Sequence, residues 1–95
     1  DTFGAFGPSI STKVDLNQMQ VKTFNRGRMR QDYAVSDFIF SPQQIVSFLS
    51  QEMTLFPGDL IACGTGDGIL LWKPGTTVEV RINGLDPLTN VMASN

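Results

Sequence analysis

The stretch reading IACGTGDGILLWKPG, residues 61–75, is an apolar run that breaks into Gly64, Gly66 and Gly68 at alternate positions, with Thr65 and Asp67 between them. Closely spaced backbone N–H groups, no side-chain bulk at the glycines and one hydroxyl donor let an anionic oxygen come close to the main chain. The chemistry on offer is contact with a carboxylate or enolate oxygen by Gly64, Thr65 and Gly66. Two nucleotide readings fail on spacing. A dinucleotide fingerprint needs its third glycine one residue beyond Gly68, where Ile69 stands, and it must open a long helix. A phosphate-binding P-loop ends in Gly-Lys-Ser/Thr, and Pro74 follows Gly68 too soon to leave a proper helix. Most glycine loops simply turn corners, so composition alone favours a plain turn here.

The rest of the chain offers little competing chemistry. There is no histidine, which excludes Ser-His-Asp and Cys-His arrangements within this chain. Nine carboxylates are present, but no two stand at a spacing that marks a metal site. Asp37 and Asp59 have the neighbours of turn formers, Asp59 directly after Pro57-Gly58. The single cysteine, Cys63, reads as a small buried side chain of an apolar strand. With no second cysteine, an internal disulfide and an ordinary zinc site are excluded, and a reducing cytoplasm fits the composition best.

Lys and Arg number 7 against 9 acids, for a net charge of −2. Arg26, Arg28 and Arg30 lie at period two, but no dense basic tract exists and nucleic acid is not an expected partner. No apolar run reaches membrane-spanning length, and DTFGAFGPSI lacks the basic start and apolar core of a signal peptide, so no membrane partner is expected. With 95 residues, 41% of them hydrophobic, the chain makes one small domain over residues 1–95, without room for separate cofactor and substrate domains. It opens on Asp1 rather than methionine, which reads as the middle of something longer.

Positioning these residues requires a β-rich frame with one helix. Met19, Val21 and Thr23 alternate with Gln20, Lys22 and Phe24, and after Asn25-Arg26-Gly27 a second stretch runs over residues 28–33. This is a predicted hairpin, with Gly27 giving the turn its backbone freedom. In SPQQIVSFLSQEM, residues 41–53, Ser41 is placed to cap, Pro42 suits the first helical position and Gln44 completes a capping box. Ile45, Phe48, Leu49 and Met53 then share a face, which predicts an amphipathic core helix. Phe56-Pro57-Gly58-Asp59 is a turn, residues 60–63 read as a short buried strand and Pro74-Gly75 as a type II turn. Residues 77–82 alternate cleanly. Asn83-Gly84 is the strongest hairpin signal in the chain and leads to a last strand over residues 88–91. The fold expected is α+β: a twisted, mostly antiparallel sheet with the one helix packed on it.

The order of the pieces adds what no single piece carries. DTFGAFGPSI, then RMRQD, then SDFIF, then FLSQEMTLFPGDLIACGTGDG, then KPGTTVEVRINGL and LTNVM, strongly resembles the C-terminal half of the fumarylacetoacetate hydrolase family. Members of that family carry an "RQ", a "SDMIF"-like segment, "MTLEPGDVIATGTPxG" and "LKPGDVVEVEIEGLG". The resemblance runs from Asp1 to about Val91.

It implies a metal-dependent site for small 2-oxo or enol acids. The reactions implied are carbon–carbon hydrolysis of acylpyruvates or diketo acids, with isomerase and decarboxylase members. It also implies a Mg²⁺ or Mn²⁺ ion (Ca²⁺ being another choice in the family) bound by the full family site. A homo-oligomer is expected on other grounds, since a half-domain exposes apolar area and unpaired sheet edges that favour dimerisation. Thr65 matches the threonine of the family's Gly-Thr-Pro segment, where hydroxyl and backbone contact substrate oxygens. The weighing of the loop therefore reverses, and Gly64, Thr65 and Gly66 are read as substrate-binding.

The family's Glu-x-Glu pair, later Asp, acid/base His-Glu pair and substrate lysine all match positions upstream of Asp1. No metal ligand or catalytic residue is accordingly assigned within this chain. Gly66 stands where the family has proline, Asp67 adds a negative charge beside the loop, and residues 68–73 make a shorter connection than in many members. Two readings follow: the C-terminal portion of an enzyme, inactive as this chain alone, or a free-standing non-catalytic remnant that folds by self-association. A generic small-ligand module using Thr65 is a third.

Overall fold

The computed structural model describes residues 5–65 and 73–93. Four strands, β1 (Gln20–Asn25), β2 (Arg28–Ala34), β3 (Thr77–Ile82) and β4 (Leu88–Val91), form one sheet in the order β2-β1-β3-β4, and every neighbouring pair is antiparallel. Among the described residues a single α-helix, α1 (Pro42–Glu52), lies between β2 and β3 in the chain. The α+β, antiparallel class expected from the sequence is what the chain adopts.

The first hairpin is tight. Arg26 and Gly27 both have positive φ, 55° and 75°, the pairing that a two-residue turn needs to match the twist of its strands. The second hairpin is also the one expected: Leu85 N–H bonds back to Ile82 O across Asn83-Gly84, Gly84 is left-handed (φ 85°), and the chain continues through Leu85, Asp86 and Pro87 into β4. The Asn83 side chain adds a second role. Its Oδ1 accepts from Gln20 N–H (2.6 Å) and its Nδ2 donates to Gln18 O (2.9 Å). Asn83 thus serves as the first central residue of the tight turn and also fastens the β3–β4 turn to the start of β1.

Alternation decides the faces of the sheet. Val21 and Thr23 are buried, beside their partly buried cross-strand neighbours Ile82 and Val80, whereas Lys22 points the other way, opposite Asp32 and Arg81. On that outer face the Arg81 guanidinium lies 4.6 Å from the Phe24 ring centre. Arg81 Nε donates a hydrogen bond to Glu79 Oε1, and that bond, then the carboxylate's charge, raises the Arg81 pKa above its ordinary value. The core gathers where two 3-10 turns flank the hairpin: Met19, Val21 and Val35, with Val14, Leu16, Tyr33, Phe38 and Leu85 packed against them. The buried Thr76 is paired, its Oγ1 donating to Lys73 O (2.7 Å) and accepting from Asn25 Nδ2 (3.3 Å). Lys73–Thr76 closes as a turn with Gly75 left-handed (φ 81°), as the Pro74-Gly75 pair predicts.

Helix α1 has the predicted boundaries and its full capping box: Ser41 Oγ accepts from Gln44 N–H, and Gln44 Oε1 accepts from Ser41 N–H. Its expected role as a core helix packed on the sheet is corrected. None of its residues is buried, and Phe48 and Met53 of the apolar stripe stay exposed. Phe48 meets Phe40 edge-on at 5.4 Å, so the stripe is answered by the preceding loop. A covering layer is lacking among the described residues. The accessible surface of 7630 Å² reports the same thing, since a compact chain of this size exposes about 5,400 Å². A second correction concerns residues 60–63, which join no strand ladder, and Cys63, which is exposed rather than buried. Their apolar side chains find no pairing strand among the described residues. No helix among the described residues is long and apolar enough to cross a membrane.

Candidate functional site

The segment that leads to Thr65 is placed by a turn and received by a strand. After α1, Phe56 N–H donates to Asp59 Oδ2 (2.8 Å) and Asp59 N–H to Phe56 O (3.1 Å), while Gly58 takes φ 95°. Asp59 is thus a turn former, as its neighbours suggest. From there the chain runs to the outer edge of β2, where Gln31 Nε2 donates to Thr65 Oγ1 (2.8 Å).

The strand is shaped for this contact. Thr23 pairs with Gln31 but Phe24 pairs with Met29, so Arg30 is an extra residue, a β-bulge that redirects the side chains around it. The period-two row of Arg26, Arg28 and Arg30 is interrupted at the same point and forms no regular basic stripe.

Gly64 stands at φ 98°, a conformation that side-chain-bearing residues rarely adopt, and a Cβ there would meet open space. Backbone conformation, and not crowding, is what calls for glycine. Gly64 and Thr65 lie with Cys63 on the rim of a cavity of about 340 Å³, walled by Tyr33, Phe38, Phe40 and Ile45. The structure therefore brings two of the three expected binding residues to one cavity. Gly66 lies outside the described residues, as do Asp67 and Gly68.

Sequence reasoning missed Gln31, Tyr33 and Phe38 as neighbours of the loop. In the sequence Gln31 stands out only through the Arg30-Gln31 pair of RMRQD, which matches the family's "RQ". Which way it points depends on the bulge at Arg30, and no periodicity marks that.

The described residues do not amount to a metal site. Asp37 is the one carboxylate among those lining the cavity, and no group of three or more His, Cys, Asp or Glu that could hold an ion comes together among the described residues. One carboxylate falls short of what Mg²⁺ or Mn²⁺ takes from a protein when no substrate phosphate is present.

An antiparallel sheet with one helix and a Gly-Thr segment at its edge is distinct from the parallel, doubly wound nucleotide-binding folds. Residues 1–93 match the family model described as fumarylacetoacetate (FAA) hydrolase C-terminal, and the chain belongs to that family. The chain is 38% identical over 93 residues to the 4-hydroxyphenylacetate degradation bifunctional isomerase/decarboxylase of Escherichia coli, covering 92% of this chain and 22% of that protein. Among solved structures, the 5-carboxymethyl-2-hydroxymuconate delta-isomerase of Mycobacterium smegmatis superposes with a TM-score of 0.90 at 32% identity, over 94% of this chain and 36% of that one. The 2-hydroxyhepta-2,4-diene-1,7-dioate isomerase of Mycobacterium marinum gives a TM-score of 0.88 at 38% identity, over 92% and 34%. The chain spans well under half the length of these relatives.

Proposed function

We propose that this chain is the C-terminal portion of an FAA-hydrolase-family enzyme acting on small 2-oxo or enol acids. Gly64 and Thr65 contact a carboxylate or enolate oxygen of the substrate, with Gly66 continuing the same loop, and the acyl part of the substrate lies in the neighbouring cavity. The observation that carries this reading is the convergence of a left-handed glycine, a hydroxyl and an apolar wall on one opening. Isomerisation or decarboxylation is favoured by the names of the relatives, and hydrolysis of an acylpyruvate or diketo acid by that of the family.

Mg²⁺ or Mn²⁺ belongs to the complete site in this proposal. Its ligands come from outside these 95 residues, as do the acid and base, so the chain is inactive alone. A homo-oligomer in the cytoplasm, with neither nucleic acid nor membrane as partner, completes the proposal.

A second reading, a self-associating module without catalysis, is favoured by one observation. Ile39, Phe56 and Leu60 are 92%, 66% and 69% exposed, an apolar surface of the kind that drives association.

Calorimetric titration of the 95-residue chain with oxalate, and separately with Mg²⁺ and Mn²⁺, tests the proposal. Oxalate is expected to bind with a Kd in the millimolar range, about −4 kcal/mol, as suits a site supplying only part of its contacts. Neither metal is expected to saturate alone. Failure of oxalate to bind with or without metal sinks the enzyme reading and leaves the associating module. Saturable metal binding without oxalate overturns the assignment of the ligands to residues outside this chain.

A further inference from the structure

We infer that Gln31 is a positioning residue that sets the polarity of Thr65, keeping its hydroxyl proton for an anionic ligand oxygen. The inference rests on the reading of Thr65 given above and deepens it. Gln31 Nε2 stands 2.8 Å from Thr65 Oγ1, and an amide N–H only donates. The threonine oxygen therefore accepts along that line. A hydroxyl has one proton and two acceptor positions, so with one of them engaged the proton turns elsewhere. A carboxylate or enolate oxygen only accepts, and what it needs from Thr65 is that proton. The chain of donation runs from amide to hydroxyl to anion, each bond polarising the next in the same direction.

The two partners differ in how firmly they are held. Thr65 is exposed on a loop, whereas Gln31 is half-buried on β2 and paired across the ladder with Thr23. The strand is the fixed end of the pair, and the Arg30 bulge beside it is part of how the Gln31 side chain is aimed at the loop. A glutamate here would reverse the sense of the contact. Its carboxylate would accept from Thr65, draw the proton away from the ligand and add a negative charge beside an anion. Protonating that glutamate would restore a donor.

The test is oxalate titration, followed by NMR, of the wild-type chain, Gln31→Met and Gln31→Glu at pH 5.5 and pH 8. Wild-type affinity is expected to be the same at both pH values. Gln31→Met is expected to bind oxalate three- to tenfold more weakly at both, with its unfolding midpoint unchanged. Gln31→Glu is expected to lose more than tenfold at pH 8, more than Gln31→Met loses, and to regain only part of it at pH 5.5, where an ordinary glutamate is still mostly ionised; a purely structural role would not order the variants this way or make the loss depend on pH. Wild-type affinity in Gln31→Met overturns the inference and leaves the site reading standing. Absence of oxalate binding by the wild type overturns the site reading and this inference with it. A ligand-free arm stands apart from affinity: Thr65→Val is expected to shift the side-chain amide resonances of Gln31, and unmoved resonances remove the hydrogen bond on which the inference is built.

Discussion

Thr65→Val weakens oxalate binding by about ten- to a hundredfold and leaves the unfolding midpoint where it was. Valine keeps the shape of threonine and deletes the hydroxyl alone. What is lost is a hydrogen bond to a charged acceptor, worth about 1.5–3 kcal/mol, and 1.4 kcal/mol corresponds to a factor of ten. The fold does not feel the change, because Thr65 is exposed and its contact with Gln31 is an exposed pair. Thr65→Ser, which keeps the hydroxyl, restores most of the affinity. Parallel oxalate titrations and thermal melts check both halves. Equal oxalate binding by Thr65→Val would remove the residue from the site, and a lowered midpoint would make its role structural.

Val21→Asp abolishes the cooperative unfolding transition of the chain. Val21 is buried at the centre of the sheet, against Tyr33 on one side and Ile82 on the other, and it belongs to the same cluster as Met19 and Val35. An uncompensated charge in such a place costs about 3–5 kcal/mol. Only Met19, Val21, Val35 and Val78 are buried hydrophobics among the described residues, and each contributes about 1.5–3 kcal/mol, so the margin to be lost is small. Asn90→Asp places the same charge at an exposed position on β4 and is expected to stay within about 0.5 kcal/mol of the wild type. Circular dichroism melts of the two variants decide the matter. A cooperative melt in Val21→Asp would show that the core lies elsewhere.

Local signals carried the elements and non-local ones decided the site. Ser41, Pro42 and Gln44 are neighbours in sequence, so the start of α1 was readable to the residue, and Gly27 marked the first hairpin in the same way. Asn83-Gly84 marked the second hairpin as plainly, whereas the bonds of the Asn83 side chain to Gln18 and Gln20, far off in sequence, carry no local signal. The burial expected for Cys63 and the strand expected at residues 60–63 rested on their apolar character alone. That character needs a pairing strand and a covering layer, and among the described residues no strand pairs with residues 60–63 and Cys63 stays exposed. The helix stripe misled for the same reason. Family membership was legible because it lay in the order of many short segments, whereas the Gln31–Thr65 contact depends on a bulge and a loop that meet only in three dimensions.

The central claim is that Gly64 and Thr65, held against β2, form the part of an oxo-acid site that this chain supplies. Backbone amide shift mapping of the 15N-labelled chain during oxalate titration tests it most directly. The result expected is saturable movement of the Gly64 and Thr65 amides and of the Gln31 side chain, with Mg²⁺ alone leaving them in place. Saturable movement elsewhere while these three stay fixed, or no movement at all, would contradict it.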